Sequence, residues 1–239
     1  YGGYSEVNYT PLTNLIPIPA GVDPTIAAIF ACPGPTAMHG FHLAGRAGVR
    51  LEEIRSAVVQ GLGPVGLYAV MYLKAAGVKR VYGITARDNP GREELARMLG
   101  ADEVLSLEKE GTAAVTACIQ KEHDGLGVDM CFEASGVPEA VEQGLEILRN
   151  RGVYLIPGQY SNSGSVSIQP QLITFKALHI IGSSQYSISD VRDYLEFLKQ
   201  HKYLHETIKK LGTFYQVSDI NRAIEDAKKG INVKTVLVK

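Results

Sequence analysis

Short runs of β-branched and other apolar residues alternate along the chain with segments whose apolar positions recur every three to four residues. The runs are Ser56–Gln60, Arg80–Thr85, Glu103–Ser106, Val128–Phe132, Gly152–Ile156 and Leu178–Ile181. Between them, helical periodicity covers Val65–Ala76, Arg92–Leu99, Thr112–Lys121 and Pro138–Leu148. Repeated strand, helix, strand order predicts an α/β fold with a parallel sheet covered on both faces, and six runs make it a six-stranded doubly wound sheet. Asp23-Pro24 and Asn89-Pro90 each offer a capping residue followed by proline at the first helical position, and Gly77 and Gly100 stand where helices should stop.

Outside this alternation the pattern changes. Beyond the sixth run come a helical segment at Ser189–Gln200, an apolar run at Thr207–Val217, a helix at Asp219–Lys228 and a terminal strand at Lys234–Val238. Ahead of Ala31 the chain is irregular, with strand-like Gly3–Tyr9 and prolines at Pro11, Pro17 and Pro19. The flanks therefore read as parts of a second domain interrupted by the first.

Charge narrows the partners. Lys+Arg 24 against Asp+Glu 25 gives a formal net charge of −1 with no block of like charge, which argues against a nucleic-acid surface. The uncharged stretches Thr25–Gly45 and Ser56–Leu73 are interrupted by Pro33 and Pro35 and by Gly61, Gly63 and Pro64, so neither is expected to span a membrane. An odd set of three cysteines, Cys32, Cys118 and Cys131, fits a reducing compartment, and the chain is read as cytoplasmic. It starts at Tyr1 without Met or leader, and we expect it to be a piece of something longer.

The first strand runs straight into Gly61-Leu-Gly63-Pro-Val-Gly66 and then an apolar helix, the context that the dinucleotide GxGxxG fingerprint requires. Gly61 would make the tight turn, Gly63 would let backbone approach a pyrophosphate, and Gly66 would allow close packing of helix on strand. Leu62 and Val65 would donate backbone N–H groups, helped by the positive end of the helix dipole. A glycine-rich turn without ligand is the plain alternative. Methyltransferases use a related loop, but the repeated strand and helix units fit a dinucleotide better.

The second strand of such sites usually ends in a carboxylate about 20 residues past the last glycine, where it accepts from the adenosine ribose. Here the tip reads Ile84-Thr85-Ala86-Arg87-Asp88. A hydroxyl replaces the carboxylate and a guanidinium follows, which favours NADP because Arg87 could pair with a 2′-phosphate. Asp88 keeps NAD as the alternative, and a solvated loop cation is the plain reading of Arg87.

Together these residues resemble the zinc-dependent alcohol dehydrogenase branch of the medium-chain dehydrogenase/reductase superfamily. The resemblance rests on Gly2–Glu6, Leu15–Val22, Cys32–Thr36, Gly61–Gly66, Leu99–Asp102, Gly127–Asp129, Phe132–Gly136 and Lys234–Val238, in that order along nearly the whole chain. It implies a Rossmann domain at 34–183, flanked by a residual segment of a GroES-like catalytic domain at 1–33 and its return segment at 184–239. It implies Cys32 as the third catalytic zinc ligand, a role for which a soft, anionic thiolate is suited. Thr36 would touch the nicotinamide. The family's first two zinc ligands, its four-cysteine zinc lobe and its proton-relay hydroxyl have no counterpart in this chain, so no catalytic residue is assigned with certainty and zinc is expected only in a full-length protein.

By the same resemblance, Ser135 would pass the adenosine side, Gly158 and Gln159 would run under the nicotinamide, and Ser183 would face its carboxamide. Cys118 and Cys131 read as core residues. His39 and His42 lie one helical turn apart, with no carboxylate or cysteine evident to complete that face as a metal site; His123, His179, His201 and His205 lack partners at ligand spacing. The expected function is hydride transfer between a nicotinamide and a small alcohol or carbonyl substrate with zinc as Lewis acid, in a homodimer or homotetramer joined through the apolar edge strand Leu178–Ile181. A zinc-free enone or quinone reductase of the same superfamily and a non-catalytic NAD(P)-binding module are the alternatives. This chain would supply mainly the cofactor half, with doubtful activity alone.

Overall fold

The computed structural model describes residues 7–238, so the Gly2–Glu6 block and the strand expected at Gly3–Tyr9 lie wholly or largely outside the described residues; residues 7–9 form no strand. Two helices precede the sheet, α1 (Pro24–Ile29) and α2 (Pro33–Arg46). The Asp23 carboxylate accepts from the Thr25 amide at 2.7 Å and caps α1, as expected. Periodicity does not anticipate α2, because its two prolines look like breakers. Both stand in the first turn, where an N–H would have no intrahelical partner and a fixed φ suits the helix.

The sheet then builds by simple alternation: β1 (Ser56–Gln60), α3 (Pro64–Ala75), β2 (Arg80–Thr85), α4 (Pro90–Met98), β3 (Glu103–Ser106), α5 (Leu107–Glu110) and α6 (Thr112–Glu122). The second half continues with β4 (Val128–Glu133), α7 (Pro138–Ile147), β5 (Leu148–Ile156), α8 (Pro170–Phe175) and β6 (His179–Gly182). The order is β3-β2-β1-β4-β5-β6 and every pairing is parallel. Strand order therefore reverses between β1 and β4, where open α/β sheets leave a crevice at their carboxyl ends. β1 is buried at all five positions, which is why its centre, Ala57-Val58-Val59, is continuously apolar rather than alternating.

β5 begins four residues earlier than expected, because Leu148 pairs with Val128 before a register shift brings Val153 opposite Met130. The return segment forms α9 (Ile188–Gln200), α10 (His205–Lys209), β7 (Gly212–Gln216), α11 (Ile220–Lys228) and β8 (Lys234–Val238). The apolar run at Thr207–Val217 thus divides into the end of a short helix and a strand, and β7 pairs with β8 in a separate two-stranded parallel sheet.

One face of the large sheet carries a core that runs from Val22 to Val236 and takes in α1, α2, α3 and α9. At its centre Phe41 stacks on Tyr72 and Phe132, with ring centroids 4.8 and 5.2 Å away, and the Tyr194 hydroxyl of α9 donates to the Ala27 carbonyl of α1 at 2.8 Å. On the opposite face, Tyr154 Oη and Cys131 Sγ both donate to Gln60 Oε1, at 2.9 and 3.2 Å. Burial, with Glu133 nearby, pushes the Cys131 thiol pKa well up. Among the described residues no helix is long and apolar enough to cross a membrane.

Candidate functional site

At the reversal point β1 ends on Gln60 and the chain turns through Gly61, at φ +88°, into α3. That turn is closed by the Gly61 amide donating to the Ile84 carbonyl at 2.8 Å. A Cβ on Gly61 would stand 2.7 Å from the Ser135 backbone, and one on Gly66 would collide with the Gly61 carbonyl. Gly63 differs, since a Cβ there would meet nothing within 4 Å. The protein's own packing thus demands glycine at 61 and 66 and leaves open space over 63. The first-turn amides of α3, Val65 among them, have no intrahelical partner and face that space's end of the helix. Leu62 instead buries its side chain against Gly83 of β2.

Next to the loop lies a cleft of about 560 Å³ at the carboxyl ends of the strands. It gathers Cys32 from the cap of α2, Thr36 from its first turn, Val65 from α3, Ser135 after β4, Gly158 after β5 and Ser183 after β6. Gln159 stays outside: it is partly exposed, and its amide donates to the Val137 carbonyl at 3.0 Å, tying two loops together. Ser183 Oγ is buried without a hydrogen-bond partner among the described residues.

Sequence reasoning missed Glu133, the last residue of β4 and fully buried. Its Oε1 accepts from the Ser135 amide at 2.7 Å, the Ser135 hydroxyl at 2.5 Å and the Gly136 amide at 2.9 Å, while Oε2 has no partner among the described residues. A carboxylate ending an otherwise apolar strand was the available signal. Its bonds fix the turn that forms the cleft floor.

At the β2 tip the buried Thr85 hydroxyl donates to the Arg87 carbonyl at 2.9 Å and so shapes the tip. Asp88 is engaged on both sides, its amide by Glu108 at 2.7 Å and its carboxylate by Lys109 at 2.7 Å. Arg87 is exposed and makes no ion pair among the described residues.

Cys32 caps α2 and is exposed, and its carbonyl accepts from the Thr36 hydroxyl at 2.8 Å. The Tyr186 hydroxyl, across the cleft, has its pKa raised by burial and then by the neighbouring Cys32. Among the described residues no other cysteine, histidine or carboxylate lines the cleft, and a catalytic zinc needs three protein ligands, so these residues do not by themselves fit the ion. A second group of metal-ligand type, Glu103, Cys118 and Glu122, lies at the other end of the sheet, where Arg80 pairs with both glutamates.

The histidine pair requires a correction. A carboxylate does complete the face of His39 and His42: Asp190 of α9 bonds both Nδ1 atoms, at 3.0 and 2.7 Å. About 150 residues of sequence separate these partners, which no local spacing reveals. Of the remaining histidines, His201 and His205 bond backbone carbonyls, at 2.8 and 2.9 Å.

The family model described as zinc-binding dehydrogenase matches residues 64–200. The chain is 27% identical over 220 residues to 5-exo-hydroxycamphor dehydrogenase of Pseudomonas putida, covering 92% of this chain and 59% of that protein. It is 32% identical over 184 residues to L-threonine 3-dehydrogenase of Bacillus velezensis, covering 76% and 49%. Among solved structures, an alcohol dehydrogenase of Thermotoga maritima superposes with a TM-score of 0.80 at 24% identity, over 90% of this chain and 58% of that one, which is a likeness of fold. The 2R,3R-butanediol dehydrogenase of Bacillus subtilis gives 0.76 at 26% identity, over 93% and 60%. The chain thus spans about half to three-fifths of these relatives' length.

Proposed function

The chain belongs to the zinc-binding dehydrogenase family, and from that premise we propose that it forms the cofactor half of an oxidoreductase moving a hydride between a nicotinamide and a small alcohol or carbonyl substrate. The observation that carries this reading is the open space over Gly63, at the amino end of α3 and beside the cleft. Residues 34–183 would be the dinucleotide unit, with 1–33 and 184–239 belonging to a second domain.

The nicotinamide, when bound, supplies the hydride chemistry. Residues of this chain bind and orient it. The amides of Leu62 and Val65 hold the pyrophosphate over Gly61, Gly63 and Gly66, where the helix dipole favours negative charge. Thr85 and Arg87 take the adenosine end, and the neutralisation of Asp88 by Lys109 supports NADP over NAD there. Ser135, held by Glu133, and Gly158 form the cleft floor, with Gln159 bracing its outer loop. The unpartnered Ser183 hydroxyl meets the carboxamide, and Thr36 packs against the ring from α2.

Cys32 is one zinc ligand in this reading; since the described residues furnish no second, no step is assigned to metal. That lone ligand also supports a second reading, a zinc-free reductase of enones or quinones or a binding module, and metal analysis of the purified protein separates the two. The chain would pair with a second copy through β6, an edge strand whose Ile180 is exposed. The three free thiols fit a reducing compartment. Titration of NADPH by fluorescence tests the reading: Gly63→Val should abolish micromolar binding, and binding unchanged by that substitution would remove the loop from the site.

A further inference from the structure

Asp190 ties α9 to α2 just behind the cleft. Its Oδ2 accepts from the Ser187 amide at 2.7 Å, the Ser187 hydroxyl at 2.6 Å and His39 Nδ1 at 3.0 Å, and its Oδ1 accepts from His42 Nδ1 at 2.7 Å. The first of these bonds is half of a capping box that starts α9, and the second adds a side-chain bond at the same helix start. The other two reach across to α2, where they fix the helix that carries Cys32 and Thr36. The carboxylate is buried, its side chain only 3% exposed, whereas His39 and His42 are partly open to solvent. Buried and bonded to four donors, it is held as an acceptor-only anion.

The segment between β6 and α9 is Ser183–Ser187, and its first four residues, Ser183–Tyr186, line the cleft. Gly40 lies between the two histidines and faces Ser183, since a Cβ there would stand 3.6 Å from Ser183 Oγ. One cleft wall therefore hangs from α9 and the opposite wall from α2, and the two histidines bind both to one carboxylate. His42 also turns its Nε2 toward Asp193 at 3.8 Å, a looser contact one turn further along α9.

We propose that His39, His42 and Asp190 form a positioning clasp that sets the width of the nicotinamide end of the cleft, leaving the adenosine end untouched. The geometry of the clasp stands by itself; its effect on the dinucleotide rests on the cofactor reading above. Glycine-loop contacts at Gly61–Gly66 and the β2 tip come from other elements, so loosening α9 against α2 moves only half of the ligand's surroundings.

The test compares the protein with Asp190→Asn, which keeps the shape of the side chain and removes its charge. Amide exchange without ligand should quicken on the order of tenfold at Ser183–Tyr186 while that of Val65–Leu67 stays unchanged. NADPH should bind about tenfold more weakly, with the affinity of 2′,5′-ADP, which lacks the nicotinamide, unaltered. A general loss of structure would weaken both probes alike. Equal weakening of the two, or unchanged exchange at Ser183–Tyr186, overturns the clasp. Should the unaltered protein bind neither NADPH nor NADH, the cofactor reading fails and the exchange measurement still judges the clasp. If Asp190→Asn does not fold, His42→Gln removes a single half-exposed donor, and the same split is expected at about threefold.

Discussion

At the scale of single residues, the glycine loop separates two reasons for lacking a side chain. Gly66→Ala should destabilise the fold by roughly 1–3 kcal/mol, because its Cβ has only the Gly61 carbonyl to displace. Gly63→Val should leave the melting temperature nearly unchanged and weaken NADP(H) and NAD(H) together, because the space it fills belongs to no other atom of the protein. Thermal melts beside calorimetric titrations distinguish the two, and a large loss of stability at Gly63 would contradict the assignment. Arg87→Ala should cost about tenfold in NADP(H) affinity and little in NAD(H). Equal loss for both cofactors, or an initial preference for NAD, would make Arg87 an ordinary surface cation.

At the scale of elements, the α2 and α9 contact predicts an acid sensitivity. Burial alone would raise the Asp190 pKa, but the Ser187 hydroxyl and amide, then His42 and His39, outweigh it and hold the carboxyl well below the usual range. Its folded pKa being depressed, the stabilisation is complete above the unfolded value of about 3.9 and is lost as pH falls below that through the folded value. Asp190→Asn should therefore lower the melting temperature at neutral pH and flatten its decline below about pH 4; an unchanged acid limb would show the carboxylate contributing nothing. At the sheet edge, Ile180→Lys should shift light scattering from an oligomer to a monomer, and a monomeric unaltered protein would remove β6 as an interface. All six parallel strands were legible because buried strands write themselves as β-branched runs, and Gly61–Gly66 because tight geometry restricts residue choice. Helix α2 was not, since Pro33 and Pro35 carry opposite meanings inside a helix and in its first turn. Neither Asp190 nor the carboxylate floor at Glu133 could be read, because each is defined by partners that only the tertiary fold brings near.

For the whole molecule, the core that runs from Val22 to Val236 joins both flanks to the large sheet, and the Tyr194 bond to Ala27 ties α9 to α1. Substrate turnover asks for more than that core supplies. Zinc added to this chain with a panel of alcohols should give no nicotinamide reduction, since Cys32 alone leaves the ion to solvent. Robust zinc-dependent turnover would show the metal to be held elsewhere. The three thiols stand at three depths, Cys32 exposed, Cys118 between, and Cys131 sealed under Tyr154 and Gln60. A thiol-reactive dye should accordingly label Cys32 at once and Cys131 only when β1 and β4 part. With dye in excess, that last labelling step becomes a clock for the lifetime of the native state, readable without denaturant and without any knowledge of the substrate.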